Sequence, residues 1–134
     1  MNSKYLLTIG GVLSGIAVGL GAFAAHGLKK TLTPYLLGVF ETGVQYQFIH
    51  ALALLLCGVL LLLPIQPAAQ KGFRRAALFF LVGIICFSGS LYALALTGVK
   101  WFGPITPFGG LMFILGWGWF SYAALKSSSL FGYT

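Results

Sequence analysis

Four long apolar blocks, at residues 5–25, 44–63, 76–97 and 108–125, fill most of a 134-residue chain. Each is close to the ~20 apolar residues that an α-helix needs to cross a bilayer. The apolar residues are gathered into these blocks rather than alternating or scattered. Composition points the same way: 59% of the residues are hydrophobic and 7% charged, against about 25% charged in a soluble domain. Four crossings in so short a chain leave no room for a soluble domain. The sequence therefore predicts an all-α protein, a single domain over residues 1–134 that forms an integral membrane bundle of four transmembrane helices.

Eight Lys and Arg face a single carboxylate, for a formal charge of +7. A basic balance of this kind is one footprint of nucleic-acid binding. Here the cations lie thinly between apolar blocks, where positive-inside topology and anionic lipid head groups account for them. The bilayer is the expected partner, and nucleic acid is not. The amino end, the second connection and the tail share one side, with Lys4, Lys71, Arg74, Arg75 and Lys126; the other side has Lys29, Lys30 and Lys100. Five cations against three favour cytoplasmic termini. Lys4, the apolar run and Ala22-Phe-Ala24 resemble a secretory leader, but the run is long enough to span and is read as the first helix. Cys57 and Cys86 fall inside apolar blocks and are expected to behave as small apolar residues.

The first block carries Gly11, Gly15 and Gly19 at four-residue steps, a helix-packing stripe against which a second helix can come close. Thr33-Pro34 and Thr106-Pro107 are helix-start signals. A helix from Pro34 to Leu63 would exceed the ~30 Å hydrocarbon core. A short amphipathic interfacial helix over 34–42, bent near Gly43, is therefore predicted before the second span. Gly27-Leu-Lys29 before Thr33-Pro34, and Gly98-Val-Lys100 before Thr106-Pro107, suggest either duplicated two-helix halves or shared turn chemistry. Trp101 is placed as an interface anchor, and the Trp117 indole, inside the fourth block, requires a partner across the bundle. The Ser127–Ser129 run reads as a frayed tail.

The polar run Thr42-Gly-Val-Gln-Tyr-Gln-Phe-Ile-His50, preceded by Glu41, leads straight into the second block. At 100° per residue, Tyr46 and Gln47 share a face with His50, whereas Glu41 lies on the opposite side, so a regular helix forbids a Glu41–His50 pair. Glu41 groups with Gln45 near the head groups. His50 falls about 9 Å below the start of its span, where a neutral imidazole is expected because low dielectric penalises charge. Tyr46, Gln47 and His50 are read as interhelical glue toward Ser88, Ser90 or Tyr92, or else as a proton or ligand site. His26, at a helix end, is read as bonding the last carbonyls. Two histidines, one carboxylate and two separated cysteines do not form a metal set. No serine–histidine–acid grouping, phosphate loop or carboxylate pair is present, so no catalytic residue, cofactor or enzyme activity is expected.

Gly21-Ala-Phe-Ala-Ala-His-Gly-Leu28, Thr42–Leu54, Phe87-Ser-Gly-Ser-Leu-Tyr92 and Thr106-Pro-Phe-Gly-Gly110 with Gly116-Trp117 resemble the YgdD/YwdK family of small bacterial inner-membrane proteins. Ala24 departs from the glycine usual in its Gly-Ala-Phe-Gly-Ala-His motif. The resemblance implies four spans and the bacterial inner membrane, and supplies no catalytic residues. Two functional expectations follow. One is a non-enzymatic protein acting through helix–helix association, as a homo-oligomer or accessory membrane subunit. The alternative is a small transporter or channel whose polar gate comprises Glu41, Tyr46, Gln47 and His50.

Overall fold

Residues 1–128 are described by the computed structural model of the protein; of the serine run read as frayed, Ser127 is instead buried with its hydroxyl on the Ala123 carbonyl and Ser128 bonds Gln66, while Ser129 lies outside the described residues. Five α-helices follow in order: α1 (Ser3–His26), α2 (Pro34–Leu60), α3 (Pro67–Gly83), α4 (Gly89–Thr97) and α5 (Thr106–Leu125). A π-helical turn, Ile84–Ser88, joins α3 to α4, so that Pro67–Thr97 runs as one span. Together with α1, α2 and α5 it makes four helices long and apolar enough to cross a membrane. No strand occurs among the described residues. The protein is an all-α, four-helix transmembrane bundle.

The helix starts show how local chemistry sets these bounds. The Asn2 side chain accepts from the Tyr5 amide at 3.3 Å. Thr33 Oγ1 accepts from the Leu36 amide at 3.2 Å, with Pro34 in the first turn, where its missing N–H leaves no bond unmade. The second Thr-Pro pair works differently. Thr106 is already helical, and its hydroxyl lies 2.6 Å from Ser90 Oγ instead of capping α5. The glycines of the two connections also differ: Gly98 ends α4 in the left-handed region at φ 70°, whereas Gly27 follows α1 at φ −81°. Similar sequence gives dissimilar geometry here.

One expectation fails at Gly43. In place of a separate interfacial helix over 34–42 and a bend, α2 runs unbroken from Pro34 to Leu60. Gly43 serves close approach rather than bending. A Cβ there would sit 2.7 Å from Tyr92 Cε1, and the Gly43 carbonyl accepts a bond from Ser88 Oγ at 2.7 Å. The 27 residues of α2 reach about 40 Å at 1.5 Å each; tilt or protruding ends accommodate that excess over the bilayer core.

Helix α1 packs on α2 and α3 on α5, and beyond the π turn α4 turns to α2. The extra residue of a π turn rotates the helix face that follows, which is how one span serves two partners. Phe73, Ala76, Ala77 and Phe80 join Leu6, Leu54, Cys57 and Phe113 in the main core. A smaller cluster, Ala24, Leu28, Phe40 and Ala95, closes the end nearest Lys29 and Lys30. Cys57 is buried and Cys86 half-buried, both free thiols.

The glycine stripe faces outward. A Cβ on Gly11, Gly15 or Gly19 would meet nothing within 4 Å. The close approach of α1 to α2 is made instead by Gly10, whose Cβ would lie 2.8 Å from Leu55 Cδ2 and 3.0 Å from the Ala51 carbonyl. His26 ends α1 on the exposed surface.

Candidate functional site

Burial divides the polar stretch of α2 in two. Gln47 and His50 are each 3% exposed, whereas Glu41 and Gln45 are exposed and the Tyr46 ring stands at the edge. Helical phase sends the first pair inward, and α1, α4 and α5 meet them there.

Gln47 joins three helices. Its Nε2 donates to the Leu13 carbonyl of α1 at 2.9 Å, and its Oε1 accepts from the Tyr92 hydroxyl of α4 at 2.7 Å. An amide suits this position because it donates and accepts at once. Ser88 of the π turn donates to the Gly43 carbonyl at 2.7 Å, adding a second bond between the third span and α2. Ser90 is not brought to the polar stretch: it bonds the Phe87 carbonyl at 2.9 Å and meets Thr106 at the start of α5. Among the described residues, no buried side-chain nitrogen or oxygen lacks a partner.

The partners of His50 specify its tautomer. Nδ1 lies 2.7 Å from the Tyr46 carbonyl, which can only accept, so Nδ1 carries the proton. Nε2 accepts from Trp117 Nε1, which can only donate, at 3.1 Å. The neutral Nδ1–H form meets both needs, and a proton on Nε2 would face the indole N–H. The ring also stacks on Phe113 at 3.6 Å between centroids and 8° between planes. In ¹⁵N NMR of labelled protein in lipid, His50 Nε2 is expected to resonate as a bare ring nitrogen and Nδ1 as an N–H. Trp117→Phe should move the Nε2 resonance; a protonated Nε2 in the wild type would refute the assignment.

Glu41, Thr42 and Gln45 line an open groove of about 340 Å³ whose other walls are Gly21 of α1 and Val44. A second groove, of about 420 Å³, passes Tyr46, the edge of His50, Phe87, Phe113 and Trp117. Its walls are mainly aromatic and aliphatic, with Gln45 at its edge, and both His50 nitrogens are already bonded. No group of three or more His, Cys, Asp or Glu side chains that could hold a metal ion occurs among the described residues.

Several partners were hidden from sequence reasoning. The Leu13 and Gly43 carbonyls have no side-chain signature, since every residue carries one. Phe113 and Trp117 did have a signal, being aromatic residues four apart on one helix face: the first stacks on the His50 ring and the second donates to it.

Residues 20–110 match the family described as a protein of unknown function, DUF423. Similar proteins cover nearly the whole chain. A UPF0382 membrane protein of Haemophilus influenzae is 41% identical over 97% of this chain and 100% of its own length. The UPF0382 membrane protein YwdK of Bacillus subtilis is 40% identical over 92% and 98% respectively. The UPF0382 inner membrane protein YgdD of Escherichia coli is 36% identical over 94% and 93%. No solved structure matches the chain.

Proposed function

The chain belongs to the DUF423 family of membrane proteins, and we propose that it is a non-enzymatic protein acting through helix–helix association, as a homo-oligomer or accessory membrane subunit. The outward stripe of Gly11, Gly15 and Gly19 carries this reading, because among the described residues nothing lies within 4 Å of a Cβ placed on it. In lipid, helices associate by close packing, and small residues let backbones approach. The interior polar groups support the same reading. Gln47, His50, Ser88 and Tyr92 are bonded to one another's helices or to Trp117, so they hold the bundle in register. The alternative polar gate loses Gln47 and His50 to those bonds.

We place the protein in the bacterial inner membrane, as the name of the Escherichia coli relative states for that protein. The five cations on the side of the termini, against three opposite, support cytoplasmic ends.

Gly15→Leu tests the association face. The added side chain meets open space within the protomer, so the thermal midpoint in detergent should stay within about 2 °C of wild type, as for a small change in stability. In dilute lipid bilayers, subunit counting by photobleaching should shift from oligomers to monomers. A monomeric wild type would refute the homo-oligomer, and an unchanged oligomer distribution in Gly15→Leu would refute the glycine stripe as its association face.

A further inference from the structure

Glu41 is the only carboxylate in the chain, and the unbroken course of α2 changes where it sits. Tyr35 and Trp101, 72% and 84% exposed, mark one rim of the bundle, since amphipathic rings settle at the membrane surface. Glu41 lies six residues beyond Tyr35 on a continuous helix, about 9 Å deeper. At the far rim, exposed Tyr5 adjoins Leu6, which packs against Gly58 of α2. From Tyr35 to Gly58 is roughly 35 Å of helix, which brackets the ~30 Å hydrocarbon core and carries Glu41 inside it. The carboxylate is exposed there, and among the described residues it makes no hydrogen bond or ion pair, with Lys29 and Lys30 included. An ionisable group at such depth is costly and calls for a partner.

The surrounding groove discriminates between partners. Gly21 leaves the α1 wall open opposite Val44, and Gln45 places an amide one turn deeper than Glu41. Thr42 donates to the Gly38 carbonyl at 2.9 Å, so its oxygen faces the groove only as an acceptor. A bare inorganic cation would need about six oxygen ligands, more than these side chains offer. A charge spread over an apolar body needs one counter-ion and an apolar contact, here Glu41 and the Val44 side chain beside the open face of Gly21.

We propose that this groove binds a lipophilic organic cation entering from the bilayer, with Glu41 as its counter-ion and Gln45 as a polar contact beside it. The cation is either the amine of a lipid head group or a free ammonium or phosphonium compound. The site is separate from the association face and does not depend on it.

The probe is radiolabelled tetraphenylphosphonium, measured by equilibrium dialysis against the full-length protein in dodecyl maltoside, which has no charge of its own. Saturable binding is expected. Glu41→Gln, an isosteric change at an exposed position, should weaken it at least ten-fold with an unaltered elution profile. Gly21→Leu should block it with the carboxylate intact; a Cβ at Gly21 would lie 3.6 Å from Val44 Cγ1, ordinary contact. Loss of binding on adding phosphatidylethanolamine, but not phosphatidylglycerol, would identify a lipid amine as the resident; indifference to both would identify a free cation. Gly15→Leu should bind the probe normally, so failure of the cation site and failure of the association face are separable. No saturable binding by the wild type, or equal binding by Glu41→Gln, would overturn the proposal.

Discussion

Gly109→Ala is expected to destabilise the bundle by about 3 kcal/mol or more, at or above the upper end of overpacking costs. A Cβ on Gly109 would overlap the backbone nitrogen and Cα of Phe87, inside the π turn. Side chains crowded by a new methyl can change rotamer, but main-chain atoms cannot. Helix α5 must therefore withdraw from the π turn, and Phe113, four residues on, would leave its stack on His50. The control is Gly118→Ala on the same helix, where the new Cβ meets open space and the exchange gains up to ~1 kcal/mol of helix propensity. Fluorescence-detected size-exclusion after heating reads both: Gly109→Ala should lose its monodisperse peak many degrees below wild type, while Gly118→Ala keeps it. Equal thermal midpoints would show that α5 does not approach Phe87 as closely as described.

Gln47→Leu is expected to produce the second largest effect, a loss of about 1–2 kcal/mol. Leucine fills similar volume but strands the Tyr92 hydroxyl and deprives the Leu13 carbonyl of its side-chain donor. Stranding a buried polar group costs ~1–3 kcal/mol, moderated here because hydrogen bonds within membranes average only ~0.6 kcal/mol. The pairing makes a sharper statement testable. Tyr92→Phe alone should cost about 1 kcal/mol, yet added to Gln47→Leu it should cost nothing further, since it removes the stranded hydroxyl. A double-mutant cycle should therefore give a coupling near 1 kcal/mol. Strict additivity of the two losses would mean that the hydrogen bond between them contributes nothing.

The residues that misled are as instructive as those that did not. At Gly43 the sequence predicts a bend, because glycine weakens a helix and the helix looks too long. The structure uses the same missing side chain to admit Tyr92. Glycine lowers the cost of bending and of close approach alike, and which one is used depends on what lies opposite. The stripe of Gly11, Gly15 and Gly19 reads as packing without naming its partner; within the protomer it faces outward, and Gly10, one position away, is the residue that meets α2. A 100° rotation of α1 separates the two outcomes, and nothing local to α1 sets that rotation. Likewise Thr33-Pro34 and Thr106-Pro107 are equivalent as dipeptides, yet only Thr33 caps, because Ser90 stands beside Thr106.

The number of crossings, their approximate extents and the separation of Glu41 from His50 around α2 follow from the chain alone. Each rests on terms that act residue by residue: transfer into hydrocarbon depends on side-chain identity, and helical phase on spacing. Tertiary structure alone decided which carbonyl meets Gln47, which indole meets His50, and that α2 runs uninterrupted past Gly43 with Glu41 on an open groove. Those outcomes depend on the relative rotation and register of whole helices. Two features govern them: backbone acceptors that are the same at every residue, and close approaches that exist only once another helix is in place.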